Sequence, residues 1–207
     1  SKYFRLCLEW EIMKMKKGLL FFTLFYLIFL QHVWGENNKM KIFFNNDVEK
    51  NKWIFFTDGV MGGVSNGQME FINEDENNFL RLRGDVSTDN NGGFIQARYD
   101  ISNMDSNIKD INLSVRGNNE YYHLFIRTKQ TLLPWQFYSA KFFAKDEWSN
   151  VTLKIEDFEK SGFLLSSKIK TNQIKSIGIV AYGRDFEAFI DVKFVGFNKF
   201  ESSISIS

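Results

Sequence analysis

Apolar and polar side chains alternate along most of this chain. Ile111, Leu113 and Val115 stand against Asn112, Ser114 and Arg116, and Val151, Leu153 and Ile155 against Thr152 and Lys154. Ile190, Val192 and Phe194 alternate in the same way with Asp191 and Lys193. A repeat of two sends successive side chains to opposite faces of a strand, and one buried face explains the apolar half. Turn formers separate these runs at 73–78, 89–93, 117–119 and 183–185. The pattern predicts about ten strands: 52–57, 67–72, 79–84, 93–99, 110–116, 121–128, 135–144, 148–155, 176–182 and 188–197. Only 155–160 suggests a helical turn. Many short strands joined by Gly- and Asn-rich turns make an all-β sandwich or barrel. Residues 36–50, polar and rich in Asn and Lys, read as a linker or as a first edge strand around 40–44. Segment 161–175 reads as a long connection, 201–207 as a frayed tail, and the folded domain spans 51–200.

The N-terminus has a different pattern. Lys14, Lys16 and Lys17 precede a run over 18–30 that is apolar apart from Thr23, and Val33, Trp34 and Gly35 follow. This is a secretory signal by length and flanks, with cleavage expected after Gly35. A spanning helix needs about 20 apolar residues, so the run is short for one. Cleavage gives a secreted or periplasmic protein; without it, 13–35 is an N-terminal membrane anchor. Residues 1–12 precede Met13 and Met15 and read as an upstream extension. The single cysteine, Cys7, lies there, so the rest of the chain has no disulfide or Cys metal site to draw on.

Basic and acidic residues balance, 26 against 25. No basic excess exists to draw nucleic acid nonspecifically. A domain of this size buries roughly 70% of its unfolded surface and is stabilised by its core alone. Phenylalanine is abundant, at 23 residues, to fill it.

Residues 58–67 read Asp-Gly-Val-Met-Gly-Gly-Val-Ser-Asn-Gly, directly after the strand-like run 52–57. The spacing is neither that of a phosphate loop nor Gly-x-Gly-x-x-Gly opening a helix. It reads as a shaped β–β connection whose N–H groups are satisfied by the side chains of Asp58 and Ser65.

Asp58 to Ser65, preceded by Trp53, resembles the signature of the complex I intermediate-associated protein 30 family. Further segments match in order: Gly92 and Gly93 through Arg98, Leu113 through Gly117, Tyr122 through Thr128, Trp148 through Phe158, Ile177 through Ile179, and Ala188 through Phe197. The resemblance covers 53–197. It implies a jelly-roll β-sandwich, galactose-binding-domain-like and related in shape to some carbohydrate-binding modules. It also implies a non-catalytic assembly factor for respiratory complex I, with complex I subunits or other assembly factors as partners. The motif residues are Trp53, Asp58, Gly59, Met61, Gly62, Gly63 and Ser65, supported by Gly92, Gly93, Arg98 and Arg116. The chain departs from the family after Arg116 and Gly117, where Asn118 and Asn119 replace Asp-Gly and remove a loop carboxylate. Arg98 and Arg116 end apolar strands and are candidates to pair with Asp58 or Asp85. The expectation is that Asp58 and Arg98 together lock the glycine loop.

Catalysis finds little support. His123 is the sole histidine after the N-terminal segment, so no metal site or Ser-His-Asp arrangement stands out. Asp58, Asp85, Glu120 and Glu187 are the carboxylates a hydrolase reading needs, and surface charge is their ordinary role. No cofactor is expected. A binding face is expected from Tyr121, His123 and Arg127 with Trp135 and Tyr138, since aromatic rings beside Arg and amide groups stack on sugars or form protein interfaces. The same rings also suit a Phe-rich core. A secreted chain does not meet the matrix-side or cytoplasmic arm of complex I, which points to a protein partner outside the cytoplasm. The alternative ligand is a glycan; the membrane is met only through the N-terminal segment.

Overall fold

The computed structural model describes residues 39–44, 46–74 and 77–200. They form twelve strands: β1 (Lys39–Phe43), β2 (Trp53–Thr57), β3 (Asn66–Glu74), β4 (Asn77–Val86), β5 (Phe94–Asp100), β6 (Ile108–Gly117), β7 (Glu120–Thr128), β8 (Tyr138–Ala144), β9 (Ser149–Lys154), β10 (Glu159–Lys160), β11 (Ile174–Tyr182) and β12 (Phe186–Lys199). One helical turn, α1 (Asp47–Lys50), is capped by Asn46, whose side chain accepts the Glu49 N–H. The segment 13–35 expected as a signal or anchor, residues 1–12 before it and the tail expected over 201–207 lie outside the described residues. Among the described residues, no helix is long and apolar enough to cross a membrane.

Two sheets result. The first has the order β3-β4-β12-β6-β9, with β1 also pairing β12; the second has the order β10-β8-β7-β11-β5-β2. The chain passes repeatedly from one sheet to the other, as in a jelly roll, so its connections collect at the two ends of a β-sandwich. Leu80, Leu82, Leu113, Val115, Ile190 and Val192 come from the first sheet; Ile95, Ala97, Leu124, Ile126, Ile177 and Ile179 come from the second. All are fully buried or nearly so, and they form the shared core that the alternation predicts. Tyr122 ties the layers together: its hydroxyl accepts the Phe189 N–H of β12 at 2.8 Å and donates to Asn118 Oδ1 at 2.7 Å. Burial pushes this phenol well above its ordinary range.

Several elements differ from the sequence reading. The 40–44 region is a strand, β1, and not a linker. The predicted strand over 135–144 begins at Tyr138, and residues before it are loop. The turn expected over 155–160 is a 3-10 turn, Ile155–Asp157, followed by the two-residue strand β10. The register of β12 against β6 shifts between Val192 and Phe194. This bulge inserts one residue and swaps the faces beyond it. Val195 and Phe197 therefore enter the core, and Phe194 meets Phe43 of β1 at 6.0 Å. A strict period of two had placed Phe194 inward.

Arg116 does not approach Asp58 or Asp85. On the outer face of the first sheet, Arg81, Asp191 and Arg116 stand in register across β4, β12 and β6. Arg81 donates to Asp191 from Nε at 2.7 Å and Nη2 at 2.9 Å; Arg116 donates from Nη2 at 2.7 Å and Nε at 3.1 Å. Phe189 lies against Arg81 at 4.7 Å and Trp148 against Arg116 at 4.9 Å. Asp191 is fully buried beneath these groups. Asp191→Asn leaves two guanidinium groups facing an amide. We expect a loss of roughly 2–4 kcal/mol, below the cost for a fully buried triad because both arginines keep some contact with water. It would appear as a lower urea midpoint at unchanged slope; an unchanged midpoint would refute the role assigned to the carboxylate.

Candidate binding surface

The glycine motif forms one end of the sandwich. Asp58 opens a 3-10 turn, Asp58–Met61, which Gly62 ends at φ 90°, a left-handed conformation natural to glycine. The Asp58 side chain is fully buried and takes four hydrogen bonds. Oδ1 accepts the Ser65 N–H at 3.0 Å; Oδ2 accepts the Ser65 hydroxyl at 2.5 Å, the Gly93 N–H at 2.5 Å and the Phe94 N–H at 3.2 Å. A Cβ on Gly63 or Gly92 would collide with this carboxylate, which explains glycine at both positions. The lock is therefore made within the motif and by the 92–94 backbone. Arg98 takes no part: it pairs with Asp100 at 3.0 Å and lies 4.5 Å from the Phe56 ring. Trp53 is a core residue, buried against Phe44 and Tyr99. Val60, Met61 and Val64 are exposed, while Gly59 lies in the turn, its N–H donating to Thr57 Oγ1.

The outer face of the second sheet carries most of the predicted binding residues. Tyr122, Leu124 and Ile126 point to the core, so Tyr121, His123, Phe125 and Arg127 point outward. Phe137 stacks on Phe125 at 3.9 Å, and Tyr182 meets Phe125 edge-on at 5.4 Å and His123 at 5.6 Å. Tyr121 packs edge-on against Phe143 at 5.1 Å, with Lys141 over its ring at 4.2 Å. Burial, and then Lys141, push the His123 imidazole below its ordinary range, so it is neutral at pH 7. Gln96 lies across Gly178, where any Cβ would collide with its amide. Tyr138 is not on this face: it is buried in the core, with its hydroxyl on Ser166 O at 3.1 Å.

Opposite the glycine motif, two loops meet. Leu132 N–H and Leu133 N–H bond to Gln136 Oε1, which shapes the 129–137 loop. Ser161 joins it to the next loop: its N–H donates to Phe137 O and its hydroxyl to Trp135 O, both at 2.9 Å. On these joined loops Phe163 is 87% exposed, Leu132 81%, Leu164 72% and Trp135 64%. Sequence reasoning placed Trp135 in a strand and singled out neither Leu132 nor Phe163. Their signal was present as apolar residues inside turn-rich connections.

Of the four carboxylates, Asp58 is committed to the lock and Glu120 pairs with Arg184. Asp85 and Glu187 face each other across β4 and β12 and line a depression of about 500 Å3 with Arg83 and Gln68. Both are exposed, without the apolar burial that distinguishes a general acid. A larger depression, about 780 Å3, lies between Lys109, Lys154, Lys170 and Phe200, away from the aromatic face. Among the described residues no three His, Cys, Asp or Glu side chains gather to hold a metal.

Burial would raise the Asp58 carboxyl, but its bonds from Gly93, Ser65 and Phe94 outweigh this and hold it below the ordinary range. A depressed carboxylate stabilises the fold above its unfolded pKa, and this contribution fades as pH falls through the folded value. Asp58→Asn removes an acceptor from several buried donors at an expected cost of about 2–3 kcal/mol, or roughly 5–10 °C in melting midpoint. The variant should also lose less stability than the parent between about pH 5 and pH 3. Equal melting curves for the two proteins would refute the lock.

Comparison with curated protein sequences returns no match. Among solved structures, the chain is similar to the family 11 carbohydrate-binding module from Clostridium thermocellum in complex with a β-1,3-1,4-mixed-linked tetrasaccharide. Identity is 11%, the match covers 78% of this chain and 95% of the module, and the TM-score is 0.64. The same module of the cellulosomal cellulase Lic26A-Cel5E gives a TM-score of 0.63 at 11% identity, with the same coverage. An exo-β-agarase matches at 6% identity and a TM-score of 0.52, over 80% of this chain but 26% of the enzyme. At such identities the likeness shows the fold alone, a β-sandwich of the carbohydrate-binding-module type. The family model described as complex I intermediate-associated protein 30 matches residues 42–192, and the chain belongs to that family.

Proposed function

We propose that this protein is a non-catalytic binding module, that its partner is another protein, and that the two meet outside the cytoplasm. The observation that carries this reading is the cluster of exposed apolar side chains on the two loops joined by Ser161: Leu132, Leu133, Trp135, Phe163 and Leu164. Scattered exposed apolar residues are ordinary, but a cluster on loops hydrogen-bonded to each other marks an interaction site. Trp is among the residues that carry most of an interface's affinity, and Phe is enriched at interfaces. The family's name points to association with complex I, which supports a protein as partner. The signal-like N-terminal sequence supports the location.

A second reading, glycan binding, is favoured by the outer face of the second sheet. There Phe125, Phe137, Tyr182 and Tyr121 lie beside Gln96 and Arg98, on a fold shared with a saccharide-bound module. Two of these rings are already engaged by their neighbours. Phe125 is covered by Phe137, and Tyr121 is held by Phe143.

Affinity capture from a native membrane fraction, run beside a glycan array, separates the two. The parent chain is expected to retain a protein, and the Leu132→Asp/Phe163→Asp variant to lose it by about tenfold or more. The variant should melt as the parent does, because exposed substitutions change stability by less than about 0.5 kcal/mol. Glycan binding without protein capture would overturn the first reading in favour of the second.

A further inference from the structure

Three cations converge beside the apolar loops. Arg127 projects from the outer face of β7, and its Nη2 donates to Leu133 O at 2.8 Å and Thr131 O at 3.3 Å. Lys175 sits where the register of β11 against β7 shifts, between Ile174 and Ser176, and its Nζ donates to the same Thr131 O at 3.2 Å. Two positive groups thus share one carbonyl. Arg98 joins them from β5. Ser176 pairs both with Arg127 and with Asp100, and Gly178 pairs with Arg98. The carboxylate of the group is Asp100, half-exposed and paired with Arg98.

Held close together, the three positive charges repel one another. Arg98 meets the Asp100 carboxylate through Nε at 3.0 Å and Nη2 at 3.4 Å, whereas the buried Nε of Arg127 has no hydrogen-bond partner among the described residues. A buried donor without an acceptor costs free energy, and in a native protein it calls for an explanation. Burial, and then Arg98, hold Arg127 below its ordinary range; burial, Arg127 and Arg98 do the same to Lys175. A bound anion would oppose both shifts. A guanidinium fork suits a carboxylate, which can take two parallel N–H bonds. The neighbouring exposed groups, Leu132, Leu133 and Trp135, include two side chains with no ring face to offer a sugar.

We infer that Arg98, Arg127 and Lys175 form a carboxylate-binding subsite, and that its occupant is an acidic stretch of the protein partner that also carries leucine-like side chains. The inference rests on the protein-binding reading above. Charge complementarity selects the carboxylate, and the loops beside it select the aliphatic neighbours.

Fluorescence anisotropy with the full chain tests this. The probes are a labelled peptide alternating Leu and Glu, its twin with Gln for Glu, and an oligogalacturonate. The Glu peptide should bind more tightly than its twin, and added salt should narrow the gap. Arg98→Gln/Lys175→Gln should weaken the Glu peptide about tenfold and leave the Gln peptide unchanged. This pair spares Arg127, which also shapes the loop. Lys154→Gln, elsewhere on the surface, should change nothing. In the parent chain, the Nε–H resonances of Arg98 and Arg127 should shift on saturation with the Glu peptide. Equal binding of Glu and Gln peptides, with both lost in Leu132→Asp/Phe163→Asp, would overturn the subsite and leave the protein-binding reading standing. Oligogalacturonate binding that needs Arg98 and Lys175, with neither peptide bound, would overturn both. Failure of every probe to bind would overturn the subsite.

Discussion

One carboxylate holds this fold's most demanding backbone in place. The chain leaves the second sheet after β2 to enter the first at β3, and returns from β4 to β5. Asp58 binds both crossings together through Ser65 on one side and Gly93 and Phe94 on the other. Burying a carboxylate is costly unless its oxygens are satisfied, and here backbone N–H groups satisfy them at short range. The glycines follow from that choice: Gly63 and Gly92 keep the space the carboxylate occupies. The family signature is thus a packing solution written in sequence.

The two ends of the sandwich divide the labour. At the Asp58 end, the buried carboxylate is fully engaged by Ser65, Gly93 and Phe94. At the other end, the loops around Leu132 and Phe163 turn apolar side chains to solvent, and nearby cations lack enough acceptors. Binding energy is available where internal satisfaction is incomplete. The Asp191 cluster makes the contrast plain: its two arginines are also close together, but a buried carboxylate and flanking rings engage them from within. Arg98, Arg127 and Lys175 have one half-exposed carboxylate among them.

Much of the architecture was legible from alternation, because a half-buried strand must repeat every two residues. The same rule failed at Lys193, where a bulge invisible to periodicity exchanges the faces of β12. It failed again at Trp135, whose apolar neighbours resemble a strand but are shaped as a loop by Gln136. Asp58 and Ser65 were legible as acceptors for loop N–H groups, but not as partners of each other. The partners of the arginines were not: Arg116 meets Asp191 across 75 positions of sequence, a distance that only strand order determines. Tyr138 shows the limit for aromatic residues. Composition cannot tell a ring that fills the core from one that faces a ligand; only its parity in β8 decides.

The shortness of β10 has a further consequence. The second sheet ends in a two-residue strand at one edge and in the five-residue β2 at the other. Short edges offer few free backbone groups in line, which guards against sheet-to-sheet aggregation. They equally deny a visitor the ladder needed to join the sheet as an extra strand. Along the second sheet, recognition through side chains is thereby favoured over strand addition, and its specificity is open to change one residue at a time while the scaffold beneath stays fixed.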